Sequence, residues 1–281
     1  MSQKRLTRND ILLIALGVVS VGVVLFFAVS DVRLSSDMQI DAIAKDVVQR
    51  GVPTLFLVAM CATSDFRTVL AFSAYNFGKQ LLCLLPCMAV AVANFPFSAL
   101  ASGTAVVEKT QYVWLFLIQC VLIGVVEEVF FRGIVQHVVF DKLAQKHLVW
   151  RVVTTAAVFA LWHLVNLLFG AGIGTTLLQV GYSFLIGAML SVLMYATRNI
   201  WWCVAVHALF DVGGTVVSSL GKGNPWDTPF WIATVVCGTI CAVWCLYMVF
   251  HVLRDTEQTC ETAETSAQEK KENDVENQSR T

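Results

Sequence analysis

Apolar residues fill long blocks of this chain, and short clusters of charge or of Gly, Asn and Asp separate the blocks. A helix rises ~1.5 Å per residue, so it needs ~20 mostly apolar residues to cross a bilayer. Blocks of about that length lie at 11–30, 52–75, 80–100, 112–133, 152–169, 175–197, 200–220 and 230–252. They predict an all-α fold, a polytopic transmembrane helical bundle of about eight spans. Ser64-Asp65-Phe66-Arg67 interrupts the second block, and if that block does not cross, the number falls to seven. Residues 31–50 alternate apolar positions with Asp, Lys and Arg and predict an interfacial helix or loop. The first block is longer than the 7–15-residue core of a secretory signal, so it is expected to remain as a span. Residues 254–281 are rich in Glu, Gln, Thr, Ser and Asn. They offer too little apolar surface to offset chain entropy, which predicts a disordered polar tail. The expected organisation is N-terminal membrane helices over 1–110, a helical core over 111–220, a last membrane helix over 221–253, and the tail over 254–281.

Composition agrees with a membrane setting. Of 281 residues, 57% are hydrophobic and 14% charged, against about 25% charged in an average soluble domain. A net charge of −1 gives no footprint for nucleic acid. With eight spans, Lys4, Arg5, Arg8, Lys142, Lys146, Arg151, Arg198 and Arg254 gather on one side. Positive residues favour the cytoplasmic side, so both termini are expected there. Nine cysteines are present, most of them in apolar blocks. Cys237, Cys241 and Cys245 recur every fourth residue, a stripe that could hold a soft metal. We read it instead as small apolar residues on one helix face. A disulfide framework does not suit this setting.

Candidate chemistry comes from the few ionisable residues inside the blocks. Glu127, Glu128 and Arg132 lie in "VVEEVFFRGIVQ", His163 in "VFALWHLVN", and His207 and Asp211 in "WWCVAVHALFD". A charge in the bilayer interior costs a few kcal/mol or more and marks a candidate functional site. Residues four apart share a helix face. Glu128 can therefore pair with Arg132, Phe159 can pack beside His163, and Asp211 can orient His207. Glu127 is turned by about 100° from Glu128 and can face another helix. Under the predicted topology Glu127 lies near the cytoplasmic end of its span, His163 near the middle and His207 in the cytoplasmic half, so one cavity can contain all three.

One or two carboxylates facing two histidines suit hydrolysis in two ways. Glu127, His163 and His207 could ligate zinc with one position left for water, which the metal would acidify. Alternatively a carboxylate and a histidine activate water without a metal, and the other histidine stabilises the oxyanion. The His-Glu-x-x-His signature of soluble zinc enzymes is absent. Each group also has a plainer reading: Glu128–Arg132 as a structural ion pair, His163 as a core histidine, His207–Asp211 as an interhelical clamp, and Asn166 as helix packing.

These residues resemble the family of CAAX prenyl proteases and bacteriocin-processing enzymes, also called the Abi family. Its pattern is Glu-Glu-x-x-x-Arg, then Phe-x-x-x-His, then His-x-x-x-Asn or a similar small polar residue, on separate membrane helices. Here the matching residues are Glu127, Glu128 and Arg132 followed by Gly133, then Phe159 and His163, then His207 and Asp211. The resemblance covers roughly residues 120–215. It implies an intramembrane endopeptidase, metal-assisted or metal-free, acting on membrane-associated or prenylated-type protein substrates in a cell membrane, expected to be bacterial. It implies Glu127 as general base, His163 as its helper on water, and His207 as a ligand of the oxyanion or of zinc. Glu128, Arg132, Phe159 and Asp211 would support them. This chain has Asp211 where many members have Asn. An ionised carboxylate cannot donate a hydrogen bond, which favours a role in orienting His207 or holding a metal. Two other readings compete: a non-catalytic membrane interaction or bacteriocin self-immunity protein of the same fold, and a proton-coupled transporter.

Overall fold

The computed structural model describes residues 6–30, 32–63, 70–72, 76–144 and 147–253. Its elements are almost all helical. Helix α1 spans Arg8–Val29, α2 Met38–Thr63, α3 Phe77–Ala93 and the short α4 Phe97–Ser102. Helix α5 spans Val113–Glu128 and continues over Val129–Ala144 with the wider winding of a π-helix. Helix α6 spans Leu148–Trp162 and tightens to a 3-10 helix over His163–Phe169. Helices α7 (Ile173–Thr197), α8 (Ile200–Leu220) and α9 (Thr228–Tyr247) follow, and α9 runs on in π winding over Met248–Leu253. A two-stranded antiparallel ribbon pairs β1 (Ala105–Val107) with β2 (Gly221–Gly223).

Among the described residues, six helical segments are long and apolar enough to cross a membrane: Phe77–Ser102, Thr110–Gln136, Leu148–Leu168, Ile173–Thr197, Ile200–Leu220 and Thr228–Leu253. They match the last six predicted blocks and make this an integral membrane protein. About eight spans were expected, and the first two blocks account for the difference. Helix α1 offers a shorter apolar stretch, Asp10–Val23. The boundary expected near residue 51 is absent, because α2 runs unbroken from Met38 to Thr63. It carries Asp41, Lys45, Asp46 and Arg50 in its first half, too many charges for an ordinary span. The interruption at 64–67, the expected tail over 254–281 and several cations of the topology count, Lys4, Arg5, Lys146 and Arg254, lie outside the described residues.

Local chemistry sets the helix ends. Thr7 and Asp10 form a reciprocal capping box at the start of α1. Asp227 accepts from the Phe230 N–H at the start of α9, and that hydrogen bond, with one from Ser98, holds its carboxyl below the usual range. Helix α7 stops at Arg198, whose φ of 51° places it in the left-handed region. Asn199 then caps α8 by accepting from the Trp201 N–H at 3.2 Å. Two residues thus reverse the chain, which makes α7 and α8 neighbours. At one end of the bundle, Lys109 reaches Asp37 at 2.7 Å and Gln39 donates to the Ser218 carbonyl at 2.8 Å. With the β ribbon, these bonds fix the starts of α2 and α5 against the end of α8.

The cysteines lie in apolar packing. Cys83, Cys87, Cys203, Cys237, Cys241 and Cys245 share one cluster where α3, α7, α8 and α9 meet. Among the described residues the cysteines are free, and none belongs to a group that could hold a metal.

The approach of α5 to α8 depends on Gly124. A Cβ built there would lie 3.2 Å from the Val204 carbonyl oxygen and 3.5 Å from the Ala208 nitrogen. Small residues let membrane helices pack this closely. Gly124→Leu is therefore expected to force α5 and α8 apart and to cost about 1–3 kcal/mol, typical of overpacking. A lower thermal midpoint in detergent, with Gly124→Ala shifted less, is the outcome to measure.

Candidate active site

One helical turn beyond Gly124, Glu128 faces α8. Its side chain is fully buried, as is that of Arg132. Arg132 Nη1 donates to Glu128 Oε1 at 3.0 Å, and the same oxygen meets His207 Nδ1 at 2.6 Å. Arg132 Nη2 donates to the Gly187 carbonyl of α7 at 3.0 Å. Its guanidinium also stacks over the Phe159 ring of α6, 4.9 Å from the centroid. A charge buried this deeply is tolerated only when paired and hydrogen-bonded. Here one carboxylate and one guanidinium tie four helices together. Gly187 makes room for this, since a Cβ there would lie 3.0 Å from Phe159 Cδ1 and 3.2 Å from Ala156 Cα.

Phe159 stands between the two histidines. Its ring is edge-to-face with His163 at 5.1 Å and with His207 at 5.9 Å, and Phe131 closes the other side at 4.9 Å. His163 sits where α6 tightens from α to 3-10 winding, and Glu128 sits where α5 widens to π winding. Changes of winding inside a helix recur at functional sites. His163 Nδ1 lies 3.0 Å from the Phe159 carbonyl. That oxygen can only accept, so Nδ1 is the donor of this bond and Nε2 takes no part in it. The acceptor Glu128 likewise puts a proton on His207 Nδ1.

His207 Nε2 then faces two carboxylates, Glu127 Oε2 at 3.8 Å and Asp211 Oδ2 at 3.6 Å. Glu127 differs from its neighbour in its surroundings. It is partly exposed and lines a cavity of about 40 Å³ with Arg50, Val126, Phe130, Phe131 and Trp162. A single water needs roughly 10–15 Å³ on this measure, so the cavity has room for a few.

The structure therefore links Glu127, Glu128, Arg132, His207 and Asp211 by direct contacts and brings His163 beside His207 through the intervening Phe159 ring, and neither histidine lines the cavity at Glu127. Asn166 stands apart from them, donating to Gln179 of α7 at 2.8 Å. Among the described residues no group of three or more His, Cys, Asp or Glu side chains is placed to hold a metal ion. The Nδ1 partners of His163 and His207 leave Nε2 as the nitrogen each could offer to zinc, with Glu127 beside His207 as the carboxylate. Sequence reasoning missed the His207–Glu128 bond, the Gly187 carbonyl and Arg50. For Arg50 a signal existed: Arg50, Pro53 and Leu57 follow helical i, i+3, i+7 spacing, and Pro53 and Leu57 are buried.

Breaking a buried ion pair on one side costs about 3–5 kcal/mol. Arg132→Ala is expected to destabilise the protein by that amount, read as a loss of thermal stability and of folded yield in detergent.

Comparison with known proteins bears on the same helices. No curated protein and no solved structure matches the chain. The resemblance read from the three motifs is borne out over the segment that contains them: residues 109–213 match the family model described as Type II CAAX prenyl endopeptidase Rce1-like.

Proposed function

We propose that this protein is an intramembrane endopeptidase in which Glu127 activates water. The observation that carries the reading is the division of labour between adjacent glutamates. Glu128 is committed through Oε1 to Arg132 and His207, whereas Glu127 opens onto a cavity large enough for water. The similarity of residues 109–213 to CAAX-type endopeptidases supports peptide hydrolysis over other uses of the same groups.

In the proposed reaction the Glu127 carboxylate takes a proton from water, which His163 Nε2 helps to hold. The hydroxide adds to the scissile carbonyl carbon. His207, charged and balanced by Glu128, turns an Nε2–H toward the developing oxyanion. Asp211, 3.6 Å from Nε2, favours the charged ring by its nearby carboxylate. The intermediate then collapses, the C–N bond breaks, and Glu127 returns the proton to the leaving amine. Substrates are membrane-associated proteins, with prenylated-type C-termini the first class to try.

Positioned general acid–base groups contribute typically 10²–10⁴-fold. Glu127→Ala, His163→Ala and His207→Ala are each expected to lower cleavage of a farnesylated Cys-aliphatic-aliphatic-X peptide by at least about 10²-fold, with insertion and yield unchanged for Glu127→Ala and His163→Ala and the rate of His207→Ala referred to its folded fraction. Retained cleavage in all three would overturn the assignment and favour a non-catalytic interaction or immunity role.

The reaction as written passes through no metal. Treatment with a zinc chelator is expected to leave the rate unchanged. Activity lost on chelation and restored by added zinc would reassign Glu127, His163 and His207 as ligands.

A further inference from the structure

The Arg132 guanidinium spends Nη1 on Glu128 and Nη2 on the Gly187 carbonyl, and its Nε–H is left over. That nitrogen is buried and meets no hydrogen-bond partner among the described residues. Three side chains on the helices that hold Arg132 share this condition: Gln136 through Oε1, Thr155 through Oγ1 and Ser191 through Oγ. All three are buried, Thr155 and Ser191 completely.

Helical register places the four in adjoining layers. Arg132 touches α6 at Phe159 and α7 at Gly187, and Gly187 packs against Ala156. Gln136 is four residues after Arg132, Thr155 four before Phe159, and Ser191 four after Gly187. Residues four apart share a helix face and lie about one turn apart. The chain runs away from the site along α5 toward Ala144, returns along α6 from Leu148, and runs away again along α7 toward Thr197. The three steps therefore point the same way along the bundle. They bring Gln136, Thr155 and Ser191 to one level, a turn beyond Arg132.

Four polar atoms left dry at one place would each carry the full cost of desolvation. Their chemistry is complementary, since Nε–H only donates, the amide oxygen only accepts and the hydroxyls do both. They do not bond one another directly, so the partner they share lies between them. The guanidinium disfavours a cation there, and the Glu128 carboxylate and the Gln136 oxygen disfavour an anion. Water donates twice and accepts twice, and a buried water typically makes about three hydrogen bonds.

We infer that α5, α6 and α7 form a bound-water site one turn beyond Arg132. Water there accepts from Arg132 Nε, donates to Gln136 Oε1 and is held by the Thr155 and Ser191 hydroxyls. Gln136, Thr155 and Ser191 are then positioning residues, which fix through water the last free edge of the guanidinium that holds Glu128. The site shares no lining residue with the cavity at Glu127. It does not depend on the peptidase reading, because Glu128 needs its counter-ion in any use of this fold.

Two measurements on the full-length protein in detergent test the inference. Thr155→Val and Ser191→Ala remove a hydroxyl and little volume. In a dry layer, removing an unpaired hydroxyl relieves its desolvation and leaves the thermal midpoint unchanged or raised. With water bound, each is expected to lower the midpoint by about 2–4 °C. The double variant should lose less than the sum of the two, because both substitutions disturb the same water. A midpoint unchanged or raised by the single variants, or strictly additive losses, would overturn the shared site. The second measurement is a high-resolution map of the wild-type protein, expected to show a density peak about 2.7–3.2 Å from at least three of the four atoms. In the double variant the peak should vanish and the guanidinium should shift from the Gly187 carbonyl. No peak in the wild-type map, with the hydroxyls bonded to each other or to backbone carbonyls, would refute the water site. A lost peak with an unmoved guanidinium would refute the positioning role. If the double variant fails to fold, the wild-type map alone decides the site.

Discussion

The Glu128 carboxylate is the constraint on which the site depends. It is fully buried, and one of its oxygens receives both Arg132 and His207. An unpaired carboxylate in such a place would cost more than packing returns. The pair with Arg132 removes that cost within one helix, and the bond to His207 extends it to a second. Arg132 then fixes α7 through the Gly187 carbonyl and α6 through the Phe159 ring. The same network that makes the charge tolerable sets the tautomer of His207 and the side from which it meets Glu127.

Adjacent residues therefore do opposite work. Glu128 has almost no freedom, whereas Glu127 faces a cavity with few polar neighbours. The proposed hydrolysis would draw on this contrast, with a fixed frame on one side and a carboxylate with room for water on the other. The two histidines are oriented by different acceptors, the Glu128 carboxylate for one and the Phe159 carbonyl for the other.

Much of this was legible in the chain because it is local. The Glu128–Arg132 and His207–Asp211 pairs and the packing of Phe159 on His163 follow from four-residue spacing on helices. The six strongest apolar blocks could be read for the same reason. The bond from His207 to Glu128 joins residues 79 apart in the chain, and spacing cannot choose between Glu127 and Glu128 as its partner. The changes of winding at Val129 and His163 depend on tertiary packing and leave no periodic trace. Helix α2 was read in two pieces, an interfacial helix or loop and a separate block, because charges alternate with apolar residues over 31–50, whereas its buried positions Ile40, Ile43, Gln49 and Leu57 belong to one helix. Arg50 escaped notice with it.

The order of the chain has a consequence for biosynthesis. Helix α5 carries Glu127, Glu128 and Arg132 into the bilayer before α8 has been made. At roughly 5–20 residues per second, His207 follows Glu128 by on the order of ten seconds. Throughout that interval Arg132, four residues away, is the counter-ion at hand. It acts as a resident partner that lets an acidic helix wait in lipid until the histidine arrives. The arginine thus serves assembly first, and only later the architecture of the finished site.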